Sequence, residues 1–145
     1  MLDILVDSRE QLPLWKRGIT FTTLKTGDYT TTLLKRILVI ERKSPQDLYS
    51  TITKGHPRFK RELLRAKEQE LIFYLAVECS EKTFLSLNWV SQTHRKKGIR
   101  IKPQTLKKTI TTLVERYNIK LIWCRGRQDM RNQILQICIE AESNL

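Results

Sequence analysis

The sequence predicts an α/β fold, a mixed central β-sheet flanked by α-helices, and three observations predict it. Apolar, β-branched runs of strand length recur along the chain. In the second half they alternate with stretches whose apolar residues fall at helical spacing, the pattern of strand–helix–strand units. In the first half they follow one another across short turns, as hairpins do. At 145 residues and 40% hydrophobic content, one domain spanning 1–145 with a substantial core is expected.

Taken in order, "LDILV" is a short strand ending at Asp7, and "PLWKRG" predicts a helical turn closed by Gly18. "ITFTTLKT" is a second strand. After the Gly27 turn, "YTTTLL" and "ILVIERK" predict a hairpin around Lys35 and Arg36, the second run being central in the sheet. "SPQDLYSTIT" opens a helix with Ser44 as N-cap, Pro45 at its first position and Asp47 in its first turn. "HPRFKRELLRAKEQEL" gives a second helix, with Phe59, Leu63 and Ala66 on one stripe. "IFYLAVE" is a buried strand ending in Glu78, and residues 83–103 include an exposed basic loop. "TLKKTITTLVERY" returns to a helical stripe of Leu106, Ile110, Leu113, Val114 and Tyr117, followed by the strand "IKLIWC" and the closing helix "QDMRNQILQICIEAE".

The charge balance points to a partner. Twenty-seven Lys and Arg against 15 Asp and Glu leave a formal net charge of +12, a field that draws polyanions, nucleic acid first among them. The basic residues are dispersed through a globular pattern rather than set along an amphipathic helix, so no membrane partner is expected. Cys79, Cys124 and Cys138 are odd in number and embedded in apolar segments, which fits buried thiols in a reducing compartment. Without a CxxC pair, and with His56 and His94 as the only histidines, no zinc site is expected. The acidic start "MLDILVDSRE" is unlike a signal peptide and no apolar run approaches membrane length, so an intracellular location, cytoplasmic, nuclear or inside a virus-infected host cell, is expected.

Against this basic background the acids of "GDYTTTLLKRILVIERKSPQDL" stand out. Glu41 and Lys43 are two apart on one strand and share a face, whereas Ile40 and Arg42 point the other way. The hairpin can return Asp28 to Glu41, and Asp7, at the exit of the first strand, can join them. Converging carboxylates repel unless a cation compensates, and an oxygen-only set suits Mg²⁺, or Mn²⁺ as a substitute. Held beside a lysine in a polyanion-binding protein, such a cation points to phosphodiester hydrolysis. A bare ExK pair is more often an exposed ion pair, and it is the additional acids, the strand context and the charge that favour chemistry here.

"VDSRE" at 6–10, "GDY" at 27–29 and "ERKSPQDL" at 41–48 together resemble the signature of the XPF-type structure-specific endonucleases, a branch of the PD-(D/E)XK, restriction-endonuclease-like superfamily. "PRF", "YLAVE" and "IKLIWCRG" extend the resemblance over nearly the whole chain. It implies a restriction-endonuclease-like sheet and cutting of DNA near flaps or forks in repair or recombination. It implies metal binding by Asp28, Glu41 and the backbone carbonyl of Arg42, a catalytic role for Lys43, and Asp7 near the metal or its water. Glu10 and Asp47 match supporting acids, and capping explains Asp47 equally well. Many members carry a C-terminal tandem helix-hairpin-helix domain that dimerises and grips duplex DNA. None follows here, so a stand-alone nuclease domain, or one whose DNA grip comes from a separate partner, is expected.

Phosphate contacts are expected from Arg58, Arg61 and Arg65, at spacings of three and four on one helical face, and from Arg95, Lys96, Lys97, Arg100 and Lys102. Trp15 and Trp89 are read as packing residues before base-stacking ones, and Trp123 as core. The apolar face of the closing helix, Met130, Ile134, Leu135, Ile137, Cys138 and Ala141, suggests a homodimer through the last two helices. A four-way-junction resolvase, a less selective endonuclease or a non-catalytic DNA-binding scaffold stays open as an alternative, and RNA as a weaker one.

Overall fold

The structure is a computed structural model that describes residues 2–54, 57–89 and 101–145. Six strands form one sheet: β1 (Ile4–Asp7), β2 (Ile19–Thr22), β3 (Tyr29–Thr31), β4 (Leu38–Lys43), β5 (Ile72–Val77) and β6 (Lys120–Trp123), in the order β2-β1-β3-β4-β5-β6. β3 is antiparallel to both its neighbours, and the remaining pairs are parallel. The expected mixed sheet is therefore present, and β4 is central with both faces covered. Five helices accompany it among the described residues: α1 (Pro45–Lys54), α2 (Pro57–Glu68), α3 (Glu81–Ser86), α4 (Pro103–Tyr117) and α5 (Arg127–Ser143).

The alternation of β4 sorts the core into two layers. Val39 points to the layer holding Leu48 of α1, Phe59 and Leu63 of α2, Phe84 of α3 and Leu106 and Ile110 of α4. Leu38 and Ile40 point to the other, with Val6, Tyr29 and the α5 residues Met130, Ile134 and Cys138. The alternation therefore turns Glu41 and Lys43 toward α1 and α2, and Arg42 toward the layer of α5. The cysteines are all buried and free, and burial raises their pKa values, to about 12 for Cys124 and Cys138. Trp89 stacks on Phe84 and Trp15 meets Tyr29 edge-on, so both pack as expected.

Two local expectations are corrected. β2 does not belong to a hairpin: it runs parallel to β1 at the sheet edge. The predicted helical turn in "PLWKRG" is an irregular loop instead. Carbonyls at its start and just before it are taken by distant guanidiniums: Leu12 O accepts from Arg42 and Arg127, Pro13 O from Arg127, and Leu14 O from Arg131 at 3.1 Å. Leu14 N–H donates to the Tyr29 hydroxyl at 3.0 Å. Charge-assisted bonds from elsewhere in the fold outcompete the local turn. Among the described residues no helix is long and apolar enough to cross a membrane.

Candidate active site

The acids meet where β1, β3 and β4 end together. Asp7 N–H donates to Asp28 O at 2.9 Å, extending the β1–β3 ladder by one pair. At the β3–β4 junction Asp28 N–H donates to Ile40 O, but Arg42 N–H donates to the Asp28 carboxylate, also at 2.9 Å. A side chain thus replaces a backbone acceptor in the ladder and locks Asp28 beside Glu41. Gly27 makes this approach possible. Its φ of +76° favours glycine, and an added Cβ would lie 2.1 Å from Val39 Cγ2.

Asp28 and Glu41 stand side by side, and a third carboxylate, Glu62 of α2, lies against Glu41 while accepting from Gly27 N–H at 3.0 Å. Burial pushes the Asp28 carboxyl up to about 6, the Arg42 amide pulls it down, and the nearby Glu10 and Glu62 charges push it up again. Burial, Glu62 and Asp28 raise Glu41 well above the ordinary range, with Lys43 only partly offsetting them. The pair therefore holds a proton toward neutral pH unless a cation takes its place. Lys43 Nζ stands 4.5 Å from the centroid of the Phe59 ring, which fixes the ammonium on the same face as Glu41.

Asp7 is positioned differently. Its buried carboxylate accepts from Arg9 Nε at 2.8 Å and from Leu24 N–H at 3.0 Å. Burial raises its pKa, but the Arg9 guanidinium and the Leu24 amide outweigh that and hold it below the ordinary value. Glu10 lies on the other face, accepting from the Tyr29 hydroxyl and from Arg42. Arg42 also pairs with Glu78, so its side chain bridges two carboxylates on that face. Ser44 Oγ accepts from Asp47 N–H at 3.2 Å, as expected of an N-cap, and the exposed Asp47 carboxylate lines the site.

Two adjoining cavities open here, both lined by Glu41, Asp47 and Arg58. One, of about 580 Å³, reaches Asp28, Glu10 and Leu12; the other, of about 280 Å³, reaches Lys43, Phe59 and Glu62. Of the predicted phosphate contacts, Arg58, Arg61 and Arg65 are exposed on α2, and Arg58 enters both cavities. Lys102 is exposed at the start of α4. Arg95, Lys96, Lys97 and Arg100, like His56 and His94, lie outside the described residues. Glu62 is the site residue that sequence reasoning missed; its position three after the buried Phe59, on the core side of α2, was the available signal.

Among the described residues no three His, Cys, Asp or Glu side chains surround one ready-made metal position. Two carboxylates, Asp28 and Glu41, are what the site offers directly. That donor set suits Mg²⁺, which is held by one or two carboxylates and keeps several of its waters.

Comparison with known proteins bears on the fold and the family. No curated protein sequence matches the chain. In fold it is similar to XPF from Aeropyrum pernix, with a TM-score of 0.70, 19% identity, and coverage of 97% of this chain and 65% of that one. It is likewise similar to XPF from Aeropyrum pernix in complex with DNA, at 0.69 and 17% identity, covering 99% of this chain and 66% of that one. The chain therefore spans just under two thirds of the length of these structures. The model of the ERCC4 domain matches residues 6–137, nearly the full sheet and most of the closing helix, and the chain belongs to the ERCC4 domain family.

Proposed function

We propose that the protein is a metal-dependent DNA endonuclease that hydrolyses phosphodiester bonds near branches such as flaps and forks. The observation that carries this reading is the half-buried Asp28–Glu41 pair, with Lys43 held on the same face as Glu41 and Arg58 lining both adjoining cavities. Asp28 and Glu41, with the Arg42 carbonyl on the same strand, would hold Mg²⁺ or Mn²⁺. When bound, the ion supplies Lewis acidity and lowers the pKa of a water.

The chain's own residues account for the rest. In hydrolysis a water oxygen bonds to phosphorus and the ester oxygen leaves, taking a proton, to give a phosphate monoester and a hydroxyl end. Lys43, kept from wandering by the Phe59 ring, places positive charge where the pentavalent phosphorus gathers negative charge. Arg58 grips a phosphate at the cavity mouth, and Arg61 and Arg65 extend the cationic face along α2. Asp7 assists from one row back by fixing Arg9 and the end of β1.

The likeness to a DNA-complexed structure supports DNA as the partner. The test is cleavage of end-labelled flap, fork, four-way junction and plain duplex with Mg²⁺, comparing the parent with Lys43→Ala and Arg58→Ala. Branch-favoured cutting is expected, reduced at least a hundredfold by Lys43→Ala, with Arg58→Ala weakening binding and flattening its salt dependence by about one unit. Metal-independent binding without product, in Mn²⁺ as well, would reject the enzyme and leave a scaffold.

The reading extends to a homodimer through α4 and α5. The exposure of Ile139 (49%) and Leu145 (65%), on and just beyond α5, supports it. Light scattering should give twice the chain mass at micromolar concentration; a monomer mass at every concentration would remove the dimer.

A further inference from the structure

A third cavity, of about 340 Å³, lies between α1, α2 and α4. It adjoins the active site across Thr51, which lines both this cavity and the one holding Glu41 and Lys43. Besides three threonines its lining holds half-buried Ile52, Leu113 and Tyr117, and exposed Lys60, Lys108 and Arg116. No carboxylate lines it, and among the described residues none pairs with these three cations. Strong positive charge around an apolar, aromatic floor is the chemistry of single-stranded nucleic acid. The phosphates take the cations while an unpaired base covers the apolar surface, and a duplex, with its bases stacked inside, could use only the charge.

We infer that this groove is the track of a single-stranded DNA arm, leading past Thr51 to or from the catalytic carboxylates. The inference rests on the proposed endonuclease reading and deepens it by naming a structural feature of the substrate. A branch supplies what a plain duplex lacks, a strand narrow and apolar enough to enter the groove. The contacts are Lys60, Lys108 and Arg116 to phosphate and Tyr117 to a base, a set distinct from the Arg58–Arg61–Arg65 face.

The experiment measures fluorescence anisotropy with a labelled oligothymidylate and with a duplex of equal length, in EDTA. The parent is compared with the double variant Lys108→Glu/Arg116→Glu and with a charge-matched control in the exposed β3–β4 turn, Lys35→Glu/Arg36→Glu. All four positions are exposed, and melting curves verify the folds. The groove variant should lose about tenfold or more in single-strand affinity while its duplex affinity falls no further than the control's. Crosslinks from an oligonucleotide carrying 5-iododeoxyuridine should map to α4 at Tyr117. Equal losses in groove variant and control, parallel losses for single strand and duplex, or crosslinks elsewhere would overturn the assignment. Because the binding arm contains no metal and no cutting, a groove that binds in a protein that cleaves nothing would sink the endonuclease reading and leave the groove standing.

Discussion

Asp28→Asn is expected to abolish cleavage, by at least a thousandfold, and at pH 7 without divalent metal to make the protein more stable. The loss follows from removing one of the two carboxylates that would hold the cation. The gain follows from proton linkage. Folding raises the Asp28 pKa from 3.8 to about 6, so the folded state binds the proton more tightly than the unfolded one. Stability contributed by this group is therefore full below pH about 4 and is lost as pH rises from there through about 6. At pH 7 the cost has an upper bound of about 3 kcal/mol. Asparagine carries no charge to desolvate, can still accept from the Arg42 amide and can donate to Glu41. Allowing for a weaker bond to that amide, a net gain of about 1–2 kcal/mol and a Tm higher by roughly 3–6 °C are expected. Calorimetry in EDTA from pH 4 to 8 should show the two melting curves together at the acid end and diverging as pH rises. Mg²⁺ should close the gap by stabilising the parent alone. A Tm difference that ignores pH would mean that the Asp28 charge is not what strains the fold.

The largest destabilisation is expected at Arg42. Its side chain, 12% exposed, bridges Glu10 and Glu78, which are themselves only 15% and 24% exposed, and donates to Leu12 O. Arg42→Met keeps the apolar bulk but leaves two part-buried carboxylates facing each other and a carbonyl without that donor. A loss of about 3 kcal/mol is expected by denaturant unfolding. Arg42→Lys should recover part of it, since one charge is restored without the planar fork that reaches three acceptors. The triple variant Arg42→Met/Glu10→Gln/Glu78→Gln should recover most of it, because the penalty lies in the unpaired charges rather than in the missing arginine. If Arg42→Met costs less than about 1 kcal/mol, the bridge holds nothing that water does not hold as well.

What could be read from the sequence was what depends on near neighbours. Pro45 after Ser44 marked the start of α1, the Phe59–Leu63–Ala66 stripe marked the buried face of α2, and all three of those residues are in the core. The strand exit at Glu41–Lys43 and the return of Asp28 followed from alternation and a short turn, and the structure brings Asp28 and Glu41 together. What escaped depends on distant partners. Nothing local to "PLWKRG" says that its carbonyls belong to arginines more than 100 residues away. Glu62 looked like any acid on a solvated helix until Gly27 and Glu41 were placed against it. The short helix α3 was missed although Ser80 announces it, its hydroxyl accepting from Thr83 N–H. Six residues are too few to show a period. The parallel pairing of β2 with β1 was lost because a strand's own sequence does not state its direction.

The loop from Leu12 to Leu14 reaches the cavity of the Asp28 and Glu41 carboxylates at Leu12, yet its fastenings Arg127 and Arg131 stand 114 to 117 positions downstream. Closing so long a span is among the last events of folding, since its entropy must be lost before any of its bonds is gained. On a ribosome the same dependence orders events in time. The sheet edge that would carry the chemistry can form early, but its rim takes its final shape only when the closing helix has emerged and docked. The molecule is in this sense self-timed, with an element more than a hundred residues downstream setting the border of a site built from β1, β3 and β4.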